Sequence, residues 1–112
     1  MAAIANLLID QGATFSSTIT VFNDDDSLFD LTGHTGASQI RKSYSSSSAS
    51  ATFTLSFASD RTTGEITISL TPTQTAALEE GRYVYDVEVT KTDDSTVTRV
   101  IQGIVTVSPN AT

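Results

Sequence analysis

Cysteine is absent from the 112 residues, so neither a disulfide nor a thiolate metal site holds this chain together. Tryptophan is absent too, and histidine occurs once, at His34. One imidazole and no thiol leave too few ligands for a zinc or di-iron centre. Basic residues are scarce: 6 Lys and Arg stand against 13 Asp and Glu, for a formal charge of −7. The cations are scattered and form no stripe for phosphate contacts, which argues against nucleic acid and against an anionic membrane face as partners. No apolar run approaches the ~20 residues of a bilayer-spanning helix. The opening segment from Met1 to Ile9 is apolar but short, has no basic residue and runs into Asp10. It reads as a terminal strand or arm, not as a signal peptide.

What the chain does have is hydroxyl side chains. Serine and threonine make up roughly thirty per cent of it, well above ordinary usage. Threonine favours extended backbone and suits the wet face of a pleated sheet. The length fits a single domain over residues 1–112, with residues 1–12 as an N-terminal arm or edge strand.

Alternation of apolar and polar residues fills most of the sequence. Phe15, Ile19 and Val21 oppose Thr14, Ser16, Thr18 and Thr20. Asn23 to Ser27 is turn chemistry. The short stretch Leu28–Leu31 is halted by Thr32-Gly33-His34-Thr35-Gly36, and a second extended run covers Ala37 to Tyr44. The serines at 45–48 form a loop. Phe53, Leu55 and Phe57 then alternate strictly from Ala51 to Phe57, and Ile66, Ile68 and Leu70 do the same after the Asp60–Gly64 turn, which predicts a hairpin. Thr71 to Gly81 is the one helical candidate, with Thr71 as cap and Pro72 in the first turn. Two strong strands follow, carrying Tyr83, Tyr85, Val87 and Val89, and then Val97, Ile101, Val105 and Val107. Val100 and Ile104 fall on the opposite face of that last run, and Gly103 marks a bulge or a close backbone approach.

These signals predict an all-β fold, an immunoglobulin-like β-sandwich of about seven short antiparallel strands with one short helical turn. Glu80-Gly81-Arg82-Tyr83-Val84-Tyr85 is the form in which immunoglobulin-like domains enter their penultimate strand, where a tyrosine hydroxyl ties back to the backbone. An ordinary pair of half-buried tyrosines is the plainer alternative.

A search for chemistry finds no catalytic residues. No serine lies in a Gly-x-Ser-x-Gly elbow, and no glycine-rich phosphate loop occurs. Asp24-Asp25-Asp26 lacks the alternate ligands, glycine and distal Glu of a calcium loop, and reads as a solvated hairpin tip, as does Asp93-Asp94. His34 reads as a solvated loop residue. Paired carboxylates of the glycosidase kind are defined in space, not in sequence, and nothing along the chain supports them. The expectation is a non-enzyme with no cofactor and no metal.

Several stretches in order, Ile9-Asp10-Gln11-Gly12-Ala13-Thr14-Phe15, Asp30-Leu31-Thr32-Gly33, Gln39-Ile40-Arg41-Lys42, Gly64 to Thr71, Gly81 to Val87 and Gly103 to Pro109, are similar to a phage protein family. The chain resembles the immunoglobulin-like domain at the start of phage baseplate upper proteins. That resemblance implies a structural virion protein of a tailed bacteriophage, assembled in the host cytoplasm, multi-copy or homo-oligomeric, bound to other virion proteins in the tail, baseplate or neck. A capsid decoration protein on the head is one alternative; a host-surface adhesin or carbohydrate-binding module is another. The candidate interaction residues are Ile4, Leu7, Leu8 and Ile9 in the terminal segment, with Val100 and Ile104 on the last strand.

Overall fold

The computed structural model describes residues 3–111; Met1, Ala2 and Thr112, at the limits of the expected domain, lie outside the described residues. Nine strands occur among them: β1 (Ala3–Ile4), β2 (Leu7–Asp10), β3 (Phe15–Thr20), β4 (His34–Arg41), β5 (Ala51–Thr52), β6 (Thr54–Phe57), β7 (Glu65–Leu70), β8 (Gly81–Lys91) and β9 (Val97–Ser108). One short helix, α1 (Pro72–Ala76), and a 3₁₀ turn at Arg61–Thr63 complete the secondary structure. The larger sheet runs β1-β9-β8-β4-β5, with β2 also on β9, and the smaller runs β3-β7-β6. In the lettering of immunoglobulin domains, the smaller sheet is B-E-D and the larger is G-F-C extended by C′. The fold is an immunoglobulin-like β-sandwich, as the alternation predicts.

The core lies between the two sheets and is filled by the alternate residues of each strand. Ile66, Ile68 and Leu70 face inward from β7, and Tyr83, Tyr85, Val87 and Val89 from β8. The 51–57 run is strictly alternating yet serves both sheets. Ala51 pairs with Ile40 on β4, Phe53 N–H still donates to Ser38 O at 2.9 Å, and Thr54 already pairs with Ser69 on β7. Phe53 is the hinge of that switch. Its ring is buried against Phe15 and Tyr85, at centroid distances of 5.9 and 6.0 Å.

Two boundaries differ from the sequence reading. The Thr32–Gly36 segment does not stop the chain: β4 already begins at His34, which pairs with Lys91. His34 is therefore a strand residue, with its ring edge-on to Phe29 at 5.5 Å and its Nδ1 at 3.1 Å from Thr32 O. The helix is also shorter than the Thr71–Gly81 span. A Thr71–Gln74 capping box starts it and it ends at Ala76, because the next residues drop Leu78 into the core. Thr75, wholly buried, fastens this turn to the β2–β3 connection by accepting from Gly12 N–H at 3.0 Å, with Ala13 O at 2.9 Å from the same hydroxyl.

The tyrosine corner is present. Tyr83 Oη donates to Glu79 O at 2.8 Å, four residues back, and pins the turn that feeds β8.

Candidate functional site

The terminal segment decides which surface the domain offers. It is an edge strand, parallel to β9, with Ile4 opposite Gln102 and Leu8 opposite Thr106. Parallel partners share a face, so Ile4 and Leu8 point outward with Ile104, while Ile9 points inward with Val107. Exposure follows that register: Ile4 is 74% exposed, Leu8 63% and Ile104 43%, whereas Ile9 is 0% exposed.

A break between β1 and β2 locks this edge in place. Gly103 sits opposite Tyr85, and a Cβ there would collide with the Ala5 carbonyl. Because glycine leaves that space open, Ala5 O reaches inward and accepts a hydrogen bond from the buried Tyr85 hydroxyl. Ala5 N–H donates to Gln102 O at 3.0 Å, and Asn6 Oδ1 accepts from Ile104 N–H at 3.0 Å. Gly103 thus marks a close backbone approach. The bulge of β9 lies elsewhere, where Val87 pairs with Ile101 but Glu88 pairs with Arg99.

That bulge corrects one expectation. The skipped residue is Val100, and the extra residue turns it inward, leaving it 5% exposed beside a buried Ile101. Of the six residues expected to form an interaction surface, Ile4, Leu8 and Ile104 lie together on the outer face. Ile9 and Val100 belong to the core, and Leu7 is half-buried against it. Pleat alternation withdraws Leu7 and Ile9, and the bulge withdraws Val100.

The sequence reading missed four other exposed apolar residues. Phe22 and Leu28 form an isolated bridge flanking the Asn23–Ser27 turn, Val97 opens β9, and Tyr44 stands on the loop after β4. Phe22 continues the β3 alternation on its outward side, so its exposure was legible; that of Leu28, Val97 and Tyr44 depends on where loops fold.

Charge is unevenly placed. The loops 23–33, 58–64 and 92–96 meet at one end, joined by Leu31 N–H to Arg61 O and Thr92 N–H to Gly33 O, both at 2.9 Å. Four aspartates there repeat one device, Asp followed two residues later by Ser or Thr: Asp25, Asp30, Asp60 and Asp94. Each accepts hydrogen bonds from the hydroxyl and the backbone N–H two residues on, which hold its carboxyl below the usual carboxylate range. They are turn-building groups. Among the described residues no cluster of three or more His, Asp or Glu is placed to hold a metal, and no helix is long and apolar enough to cross a membrane. Burial pushes the Tyr85 hydroxyl up to about 12, with nearby Tyr44 adding a smaller push.

No family model and no curated relative matches the chain. Solved structures similar to the chain include two bacterial proteins. One is InlP of Listeria monocytogenes, with a TM-score of 0.49 and 15% identity, covering 96% of this chain and 28% of that one. The other is a family 123 glycoside hydrolase from Clostridium perfringens, with a TM-score of 0.40 and 12% identity, covering 96% of this chain and 23% of that one. The chain spans roughly a quarter of each, and likenesses at this level extend no functional argument to it.

Proposed function

We propose that this domain is a structural, non-catalytic docking module of a tailed bacteriophage particle, binding other virion proteins in the tail, baseplate or neck. The observation that carries the docking role is the outward grouping of Ile4 and Leu8, on β1 and β2, with Ile104 on the neighbouring β9. Single exposed aliphatics are ordinary, whereas a group of them on one face supports a surface that a partner covers. The phage setting rests on the ordered resemblance from Ile9 to Pro109.

The edge beside these residues is not open for strand pairing in the usual way. β1 and β2 are short, the Ala5–Asn6 break interrupts them, and Asp10 closes the run. Short, broken and charged edges resist edge-to-edge addition. The contact is therefore face-on, through side chains, in a particle where the domain is present in many copies.

The test replaces Leu8 and Ile104 by Ser in the phage and measures incorporation of the protein into purified particles. The expected result is a normally folded protein missing from the particle. Full incorporation refutes this face as the docking surface. Imaging of labelled particles then separates the tail, baseplate and neck from a decoration site on the head.

A further inference from the structure

The same sheet carries a second feature, away from the aliphatic residues. Over β4 and β8 its outer face sinks into a concavity of about 280 Å³. Ala37 makes the floor shallow in side chains, and the loop after β4 returns across the sheet so that Tyr44 Oη donates to Tyr85 O at 3.4 Å. Arg41, Arg99, Asp86 and Glu88 also line it, two cations and two anions that cancel locally in a chain of net charge −7. Most of these groups are already held in position. Arg41 Nη1 donates to Ser46 O at 2.7 Å and its Nη2 to Gln39 Oε1 at 2.9 Å, while Arg99 Nε lies 3.3 Å from Asp86 Oδ2. Glu88 stands opposite Arg99 and takes part in no side-chain hydrogen bond or ion pair among the described residues.

We propose that this concavity binds a neutral saccharide, one pyranose ring at a time. Carboxylates and guanidinium groups present paired acceptors and donors in fixed planes, a match for vicinal hydroxyls. Tyr44 supplies the aromatic wall against which the C–H face of a sugar packs. Local charge cancellation removes the field that would draw in a phosphate or a carboxylate. The volume lies just under the range of about 300–1,000 Å³ typical of sites for drug-sized ligands, which suits a single ring. On the outer face of the smaller sheet, by contrast, the hydroxyls of Thr18 and Thr67 bond one another, at 2.9 Å. This site is independent of the docking residues, and either stands without the other.

The experiment is an NMR titration of the ¹⁵N-labelled full chain with glucose, galactose, mannose and N-acetylglucosamine, with inorganic phosphate and glucuronate as charged probes. At least one neutral sugar is expected to give saturable shifts at Ala37, Gln39, Tyr44, Asp86 and Glu88, with an affinity of about millimolar order. Tyr44→Ala is expected to weaken binding by about two- to tenfold, and Glu88→Gln to weaken it in the same direction. Ala37→Leu, on an outward position, fills the concavity and abolishes the shifts while the remaining spectrum stays native. Saturable shifts located elsewhere, saturation by the charged probes alone, or no saturation with any sugar overturns the proposal. So does unchanged affinity in all three variants.

Discussion

The outer face of the smaller sheet is a grid of hydroxyls: Ser16 and Thr18 on β3, Ser69 and Thr67 on β7, Thr54 and Ser56 on β6, in register across the three strands. The outer face of the larger sheet carries aliphatics on β1, β2 and β9 and four charged side chains around a concavity on β4 and β8. Both faces come from the same alternation, and beneath both lies one continuous core. Hydroxyls on a pleated face satisfy one another and water, which leaves nothing for a partner to gain. Exposed Leu and Ile leave free energy to be gained by covering them, and charged side chains around a hollow offer donors and acceptors to a polar ligand. On the proposed function, the face of the smaller sheet is the solvated one and that of the larger sheet the one that recognises partners.

The strongest perturbation of both faces at once comes from the core. Ile68→Ala, under the hydroxyl grid, and Ile9→Ala, under the aliphatic face, are each expected to cost about 2–5 kcal/mol in urea unfolding. The pair is informative because Ile9 belongs to the terminal segment. A detached arm would make Ile9→Ala nearly neutral, so that result would separate the edge strand from the sandwich.

The Tyr85–Ala5 latch comes next. Tyr85→Phe removes the donor to Ala5 O and is expected to cost about 0.5–1.5 kcal/mol, with faster amide exchange at Ala5 and Leu7 than in β3. Uniform exchange across both edges would contradict the latch. Alkaline pH probes the same hydroxyl. Its folded-state value is raised from 10.0 to about 12, so the unfolded chain gives up this proton first. The stability it provides is fully present below pH 10.0 and is lost as pH rises toward about 12. In the Phe variant that added alkaline loss, followed by circular dichroism, is expected to disappear.

Acid pH acts on the loop end. The carboxyls of Asp25, Asp30, Asp60 and Asp94 are held low, so their contribution is present above the unfolded value, about 3.9, and is lost as pH falls through the folded values. Replacing all four by Asn is expected to flatten the acid limb of a pH–stability curve. An unchanged limb would show that these turns carry no titrating stability.

The smallest effects are at the outward positions themselves. Leu8→Ser and Ile104→Ser on one face, and Thr18→Ala and Ser69→Ala on the other, are each expected to change stability by less than about 0.5 kcal/mol. Their difference lies in particle incorporation: the first pair is expected to abolish it and the second to leave it intact. Equal behaviour of the two pairs would dissolve the contrast between the faces.

The all-β class, the β6–β7 hairpin, the two long final strands and the tyrosine corner were legible along the chain, because each depends on residues within a few positions or on strict period-two alternation. A period of two assigns faces in any strand, so Ile66, Ile68 and Leu70, or Tyr83, Tyr85 and Val87, bury as the pattern requires. The Asp-x-Ser/Thr turns are equally local, and Asn23–Ser27 and Asp60–Gly64 read as turns along the chain.

Which residues form the surface was decided elsewhere. Ile4, Leu7, Leu8 and Ile9 are a run of similar residues, and only the parallel register with β9 sends Leu8 out and Ile9 in. Val100 lies on the outer face by counting, and only the one-residue bulge opposite Val87 and Glu88 rotates it into the core. Gly103 asked for a close approach without naming its partner, which is Ala5, 98 positions from it in the chain. The concavity joins a loop tyrosine to charges on three strands, and no spacing in sequence encodes that meeting. Local alternation is a property of one strand's backbone geometry and can be read from one strand. Register, bulges and hollows belong to pairs of strands distant in sequence, and they exist only once the sheets have formed.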